Sequence, residues 1–186
     1  MRSSRKPPAS DSAAKPPARP KTPDEQRTAL MEYALRALAQ RSLSAAELRG
    51  KLAKRSEDET HIQHVLGRLT ELNYLDDAQV ARVENQRRGI GAYRVRQRLK
   101  QRGVGEEIIQ EALQTRDPDE ELAQASELLQ RRLSSIQRGK NPRAKAYGLL
   151  ARRGYGGDLI RRALEGVNWA TLGDSEDDER WLGEDE

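Results

Sequence analysis

Apolar residues in this chain recur three and four positions apart instead of alternating. Met31, Ala34, Leu35 and Leu38 make one such stripe. Ile62, Val65, Leu66 and Leu69 make a second, and Leu122, Ala125, Leu129, Leu133 and Ile136 a third. This spacing puts each set on one face of a helix. No hairpin dipeptide between β-branched runs competes with that reading. The start signals agree. Ser44 with Glu47, and Ser56 with Glu59, read as capping boxes, in which a hydroxyl accepts from the N3 amide and a carboxylate reaches back. Asp117-Pro118 and Asn141-Pro142 put a polar cap before a first-turn proline. Gly103 and Gly154 read as left-handed stops, with Val104 or Tyr155 packing back as the following apolar residue.

The two stops belong to an internal repeat. With Leu52, Leu99 and Leu150 in register, Leu48, Val95 and Ala146 stand four residues earlier. Arg55, Arg102 and Arg153 stand three later, Ile62, Ile109 and Ile160 ten later, and Leu66, Leu113 and Leu164 fourteen later. Each copy reads as three helices. First helices are predicted over 26–40, 76–88 and 118–137, second helices over 45–54, 92–102 and 142–153, and third helices over 57–72, 106–115 and 157–165. One such unit has little apolar surface of its own, so tandem units must stack. The expected fold is all-α: three tandem three-helix repeats in an elongated, curved array. The expected units are 25–73, 74–116 and 117–167.

Composition supports several small cores over one large one. Only 35% of the 186 residues are apolar and 34% are charged. The ends differ in sign. Residues 1–24 carry six basic residues against two acids and six of the eight prolines, whereas residues 174–186 carry eight acids against Arg180 alone. Segments 1–24 and 168–186 are therefore expected to be disordered tails, although Trp181-Leu182 offers a docking element. The complete absence of Cys excludes disulfide scaffolds, thiol catalysis and Cys-ligated metal. No apolar run is long enough to span a membrane. A cytoplasmic monomer without a cofactor is the expectation.

Three stretches carry a more specific likeness. Residues 46–52 (Ala-Glu-Leu-Arg-Gly-Lys-Leu), 71–77 (Glu-Leu-Asn-Tyr-Leu-Asp-Asp) and 91–104 (Gly-Ala-Tyr-Arg-Val-Arg-Gln-Arg-Leu-Lys-Gln-Arg-Gly-Val) resemble the RecX family, bacterial regulators of the RecA recombinase. The likeness covers about residues 27–165. One departure is that Val80-Ala81 stands where the family usually has Phe-Ala, in a chain with no Phe. The resemblance implies three three-helix repeats. It also implies binding along the groove of the RecA–DNA filament, with restraint of strand exchange, ATP turnover and filament growth.

The basic residues are organised by helix. The middle second helix carries Arg94, Arg96, Arg98, Lys100 and Arg102, the expected partner- and DNA-binding ridge. Arg49, Lys51, Arg55, Arg87, Arg88, Arg143, Lys145, Arg152 and Arg153 form a secondary set. Third helices open on acids, Glu57, Asp58 and Glu59 and then Glu106 and Glu107, which disfavours inserting them into a major groove. Basic second helices suit weak phosphate contact with single- and double-stranded DNA, which needs charge but no base code. Arg94, Arg98 and Arg102 lie four apart on one ridge. Their mutual repulsion predicts that removing all three leaves stability unchanged or raised.

Alternative chemistries are thinner. Among the tyrosines only Tyr93 sits in the basic helix, while Tyr33, Tyr74 and Tyr155 are expected in cores or caps. His61 and His64 lack a second ligand cluster and read as packing or surface residues. Asp76 and Asp77 read as N-cap and first turn. Neither a nucleophile elbow nor a phosphate-binding loop is present, so no enzymatic activity is expected. A DNA-binding protein acting directly on transcription is the alternative function, and a pure interaction scaffold the third. Preference for one duplex sequence separates the first of these from a filament regulator.

Overall fold

The computed structural model describes residues 22–138 and 140–169. Nine helices run through them, with no strand among the described residues. They are α1 (Pro23–Gln40), α2 (Ala45–Leu52), α3 (Glu59–Glu71), α4 (Asp77–Asn85), α5 (Ala92–Gln101), α6 (Glu106–Gln114), α7 (Pro118–Gln137), α8 (Pro142–Arg152) and α9 (Gly157–Glu165). The helices pack in consecutive triplets: α1 with α2 and α3, α4 with α5 and α6, α7 with α8 and α9. This is an all-α tandem helical repeat.

The register found in the sequence is the register of the cores. Leu48, Leu52, Val95, Leu99, Ala146 and Leu150 are fully buried, and Ile62, Ile109 and Ile160 sit beside them in three separate clusters. Enclosing a Leu or Ile contributes about 1.5–3 kcal/mol, so a handful per unit suffices only if the units also support one another. In the first unit Ala34, Met31 and Leu38 of the expected stripe pack against the core, joined by Leu30. Leu30 and Ala34 are buried, whereas Leu35 is exposed.

Local capping sets the helix ends. α1 opens at Pro23, three residues before the predicted start. Thr22 accepts from the Glu25 amide, the Glu25 carboxylate reaches back to the Thr22 amide at 2.9 Å, and Pro23 fills the first turn. α3 starts two residues later than predicted, and Ser56 does not form a capping box. Asp58 is the N-cap, accepting from Thr60 and His61, while Ser56 Oγ accepts from the Asp58 amide at 3.1 Å. A carboxylate next to the first turn displaces a hydroxyl two residues away. Asp76 caps α4 as predicted, accepting from Gln79 at 3.0 Å. α4 stops at Asn85, short of the predicted 88, in a turn closed by the Arg87 amide on the Glu84 carbonyl.

Gly103 (φ +74°) and Gly154 (φ +83°) take the left-handed conformation expected of them, with Val104 and Tyr155 buried behind. Tyr74, expected in a core or cap, is instead 61% exposed. The expected tails lie largely outside the described residues, as does Trp181-Leu182. Asn168 and Trp169 are described, and the Trp169 indole donates to the Leu164 carbonyl at 2.8 Å, closing onto the third core.

Candidate nucleic-acid and partner interface

The second helices of successive units meet end to end, and the two joints are built alike. At the first, Ser44 Oγ at the start of α2 donates to the Arg102 carbonyl at the end of α5. At the second, the Gly91 amide at the start of α5 donates to the Arg153 carbonyl at the end of α8, 2.9 Å away. Each joint also borrows a carboxylate from the first helix of the following unit. Asp77 accepts from the Ala45 amide at 2.8 Å, and Glu121 from the Ala92 amide at 2.9 Å. Orphan amides at one helix start are thus satisfied by the next unit. A Cβ on Gly103 would overlap Ala46, and one on Gly154 would overlap Arg94, so both glycines serve close approach as well as the turn.

These joints use many of the basic residues singled out by sequence. Arg102 donates through Nε and Nη2 to Glu47 at 3.2 and 3.0 Å, and through Nη2 to the Ser42 carbonyl at 2.8 Å. Arg94 donates to the Arg152 carbonyl at 2.7 Å, and Arg153 reaches toward the Gly89 carbonyl at 3.4 Å. Within the second unit, Arg98 donates to Glu84, a carboxylate only 4% exposed, which Arg87 also holds at 3.0 Å. Every member of the Arg94, Arg98, Arg102 ridge therefore has an acceptor inside the protein, and repulsion along the ridge is relieved without an outside anion. Burial pushes the Glu47 carboxyl up, but hydrogen bonds from Arg41, the Ser44 amide and Arg102 outweigh it and hold the group at about 2.

Other basic side chains face outward. Arg96 and Lys100 share Glu106, at 3.2 and 3.1 Å, leaving that trio net positive. Arg49 pairs with Glu59 at 2.6 Å, and Arg55 lies 4.7 Å over the Tyr33 ring. Arg143 is half-buried near the start of α8. The side chains of Lys51, Arg88, Lys145 and Arg152 have no partner among the described residues. The structure thus lines α8, α5 and α2 into one row bearing surplus cations, with Arg87 and Arg88 just beyond the end of α4. His61 is buried and 3.5 Å from Asp58, while His64 is exposed.

Known proteins match this architecture throughout. Family models for the first, second and third three-helix domains of RecX fit residues 31–69, 78–113 and 119–164. The chain belongs to the RecX family. A Regulatory protein RecX from Deinococcus radiodurans is 53% identical over 161 residues, covering 86% of this chain and 79% of that relative. One from Halorhodospira halophila is 35% identical over 156 residues, covering 82% and 92%. In fold, the chain is similar to the crystal structure of RecX from Lactobacillus salivarius, with a TM-score of 0.70 at 17% identity, covering 76% of this chain and 96% of that one. A second RecX crystal structure matches with a TM-score of 0.69 at 19% identity.

In this RecX-family chain, sequence reasoning found the cations but not their division of labour. It missed Ser42, Ser44, Glu47, Asp77, Glu84 and Glu121 as partners. The available signal was the recurrence of an arginine directly before each left-handed glycine, which a helix-dipole argument explains only in part.

Proposed function

We propose that this RecX-family protein is a non-enzymatic, monomeric, cytoplasmic regulator that binds the RecA recombinase filament. It restrains strand exchange, ATP hydrolysis and filament growth. Its three units, 25–73, 74–116 and 117–167, follow the filament as a row. The observation that carries the reading is the end-to-end stacking of α8, α5 and α2, which strings Lys145, Arg152, Arg96, Lys100 and Lys51 along one line of helices. Such a row offers charge at intervals to DNA phosphates or to an acidic recombinase surface, with no base-reading helix. Arg94, Arg102 and Arg153 support it indirectly by bonding one unit to the next, and Arg98 by holding α5 to α4 within the second unit.

The test is RecA ATP turnover on single-stranded DNA, titrated with this protein at fixed salt. The wild type inhibits. A Lys51→Ala, Lys145→Ala, Arg152→Ala variant folds normally and needs a higher concentration for the same inhibition. Equal inhibition by variant and wild type removes the row from the interface. Selective binding to one duplex over a scrambled one at the same salt supports direct transcriptional regulation instead.

A further inference from the structure

The second joint differs from the first in the side chains around it. Beside it lies a surface depression of about 350 Å³ lined by Tyr93, Arg94, Gln97, Arg98, Arg152 and Gly154, among others. No carboxylate lines it. Tyr93 is 65% exposed although it sits in the first turn of a well-packed helix, and its hydroxyl has no partner among the described residues. Repeat symmetry shows that the joint itself does not need the Tyr93, Gln97 and Arg152 side chains. At the first joint the counterparts of Tyr93, Gln97 and Arg152 are Ala46, Gly50 and Gln101, and that joint also closes on a carbonyl and a borrowed carboxylate. An exposed ring, a side-chain amide and a guanidinium thus stand where an alanine, a glycine and a glutamine suffice for packing.

This set matches an unstacked nucleotide. A ring face takes a base from either side regardless of its identity, and arginines take the phosphate. Gln97 and Gln101 each bring one donor-acceptor amide to a base edge. Arg98 is partly neutralised by Glu84 and Arg94 is tied to the Arg152 carbonyl, which leaves the Arg152 guanidinium as the principal free cation of the depression. A duplex cannot use the site, because its bases are stacked and their faces hidden. We infer that the joint between the second and third units is a single-strand nucleotide site, with one base stacked on Tyr93 and the adjoining phosphate on Arg152. The inference rests on the DNA-contact part of the proposed function and makes it specific to single strands.

The test is anisotropy of a short labelled oligothymidylate with the full-length protein. A strand of abasic deoxyribose phosphates of equal length and a hairpin duplex serve as comparisons, all at one salt concentration. The wild type binds the oligothymidylate roughly 5- to 100-fold more tightly than the abasic strand. Tyr93→Ala loses that preference but keeps its affinity for the abasic strand and its salt dependence. Tyr93→Leu, which keeps the bulk and loses the ring, behaves like Tyr93→Ala. Tyr93→Trp keeps the preference, and its added indole emission is quenched by the strand. Arg152→Gln weakens both strands together and lowers the salt slope by about one phosphate contact. The inference is overturned if the wild type fails to distinguish the two strands, or if Tyr93→Ala still does. It is also overturned if oligoglutamate displaces the strand through Arg152 while the Tyr93 variants bind as wild type, which marks an acidic-peptide site. Its failure is separable from that of the filament role. Inhibition of RecA ATP turnover without base preference sinks only the nucleotide site; base preference without inhibition sinks only the filament role.

Discussion

Replacing Arg102 with Ala separates the first unit from the second at one identifiable bond. The guanidinium makes two contacts with Glu47 and one with the Ser42 carbonyl, and both charged side chains are about one-fifth exposed, at 21% and 20%. Removing one partner of a fully buried pair costs about 3–5 kcal/mol, because the other charge is stranded. An exposed pair is worth about 0–1 kcal/mol. Glu47 keeps Arg41 at 3.0 Å and the Ser44 amide at 3.0 Å, so it is not stranded entirely. The expected loss is therefore about 1.5–3 kcal/mol for Arg102→Ala. Urea unfolding of Arg102→Ala, Glu47→Gln and the double variant closes a cycle whose coupling energy should be about 1 kcal/mol or more. The unfolding slope should also fall, because weakened joints let units of a repeat array melt separately. A loss below about 0.5 kcal/mol with an unchanged slope would show that Arg102 is a solvated side chain and that the joint is held by other contacts.

Gly103→Ala and Gly89→Ala isolate the close approach from the backbone conformation. Both glycines have positive φ, at +74° and +71°, but nothing lies within 4 Å of a Cβ on Gly89. Thermal unfolding should show a loss of about 1–2 kcal/mol for Gly89→Ala and a clearly larger one for Gly103→Ala. Leu99→Ala, at the centre of the second core, should lose about 2–5 kcal/mol by the same measurement, from the cavity left behind. Acid titration followed by circular dichroism should reveal the Glu47 joint. Its carboxyl is held at about 2 against an ordinary 4.5, so its contribution is complete above pH 4.5 and disappears as pH falls toward 2. The full linkage value is about 3 kcal/mol, which solvent screening trims to roughly 1–2. Glu47→Gln should remove that part of the acid sensitivity.

What could be read in advance was local or periodic. Leu52, Leu99 and Leu150 announced three equivalent core positions because burial follows helical period, and the structure encloses all three completely. Gly103 and Gly154 announced helix stops because only a residue without Cβ takes that turn freely. The joints were illegible because their partners are distant in sequence. Ser44 and Arg102 are 58 residues apart, Glu47 and Arg102 55, and no local rule pairs them. The ridge of Arg94, Arg98 and Arg102 shows the consequence. Considered as an isolated helix, it is a run of repelling charges; with Glu84, Glu47 and the Arg152 carbonyl in place, it is part of the architecture. Tyr93 shows the opposite case. Its position in a basic helix was visible, but its exposure and its setting at the end of α8 were not.

The most direct test of the proposed role is an image reconstruction of the RecA filament on single-stranded DNA with this protein bound. The row of α8, α5 and α2 should lie toward the DNA backbone in the filament groove, with Lys51, Lys145 and Arg152 nearest the phosphates. A reconstruction that turns this row away from the DNA, or that leaves the groove empty at saturating protein, contradicts the account.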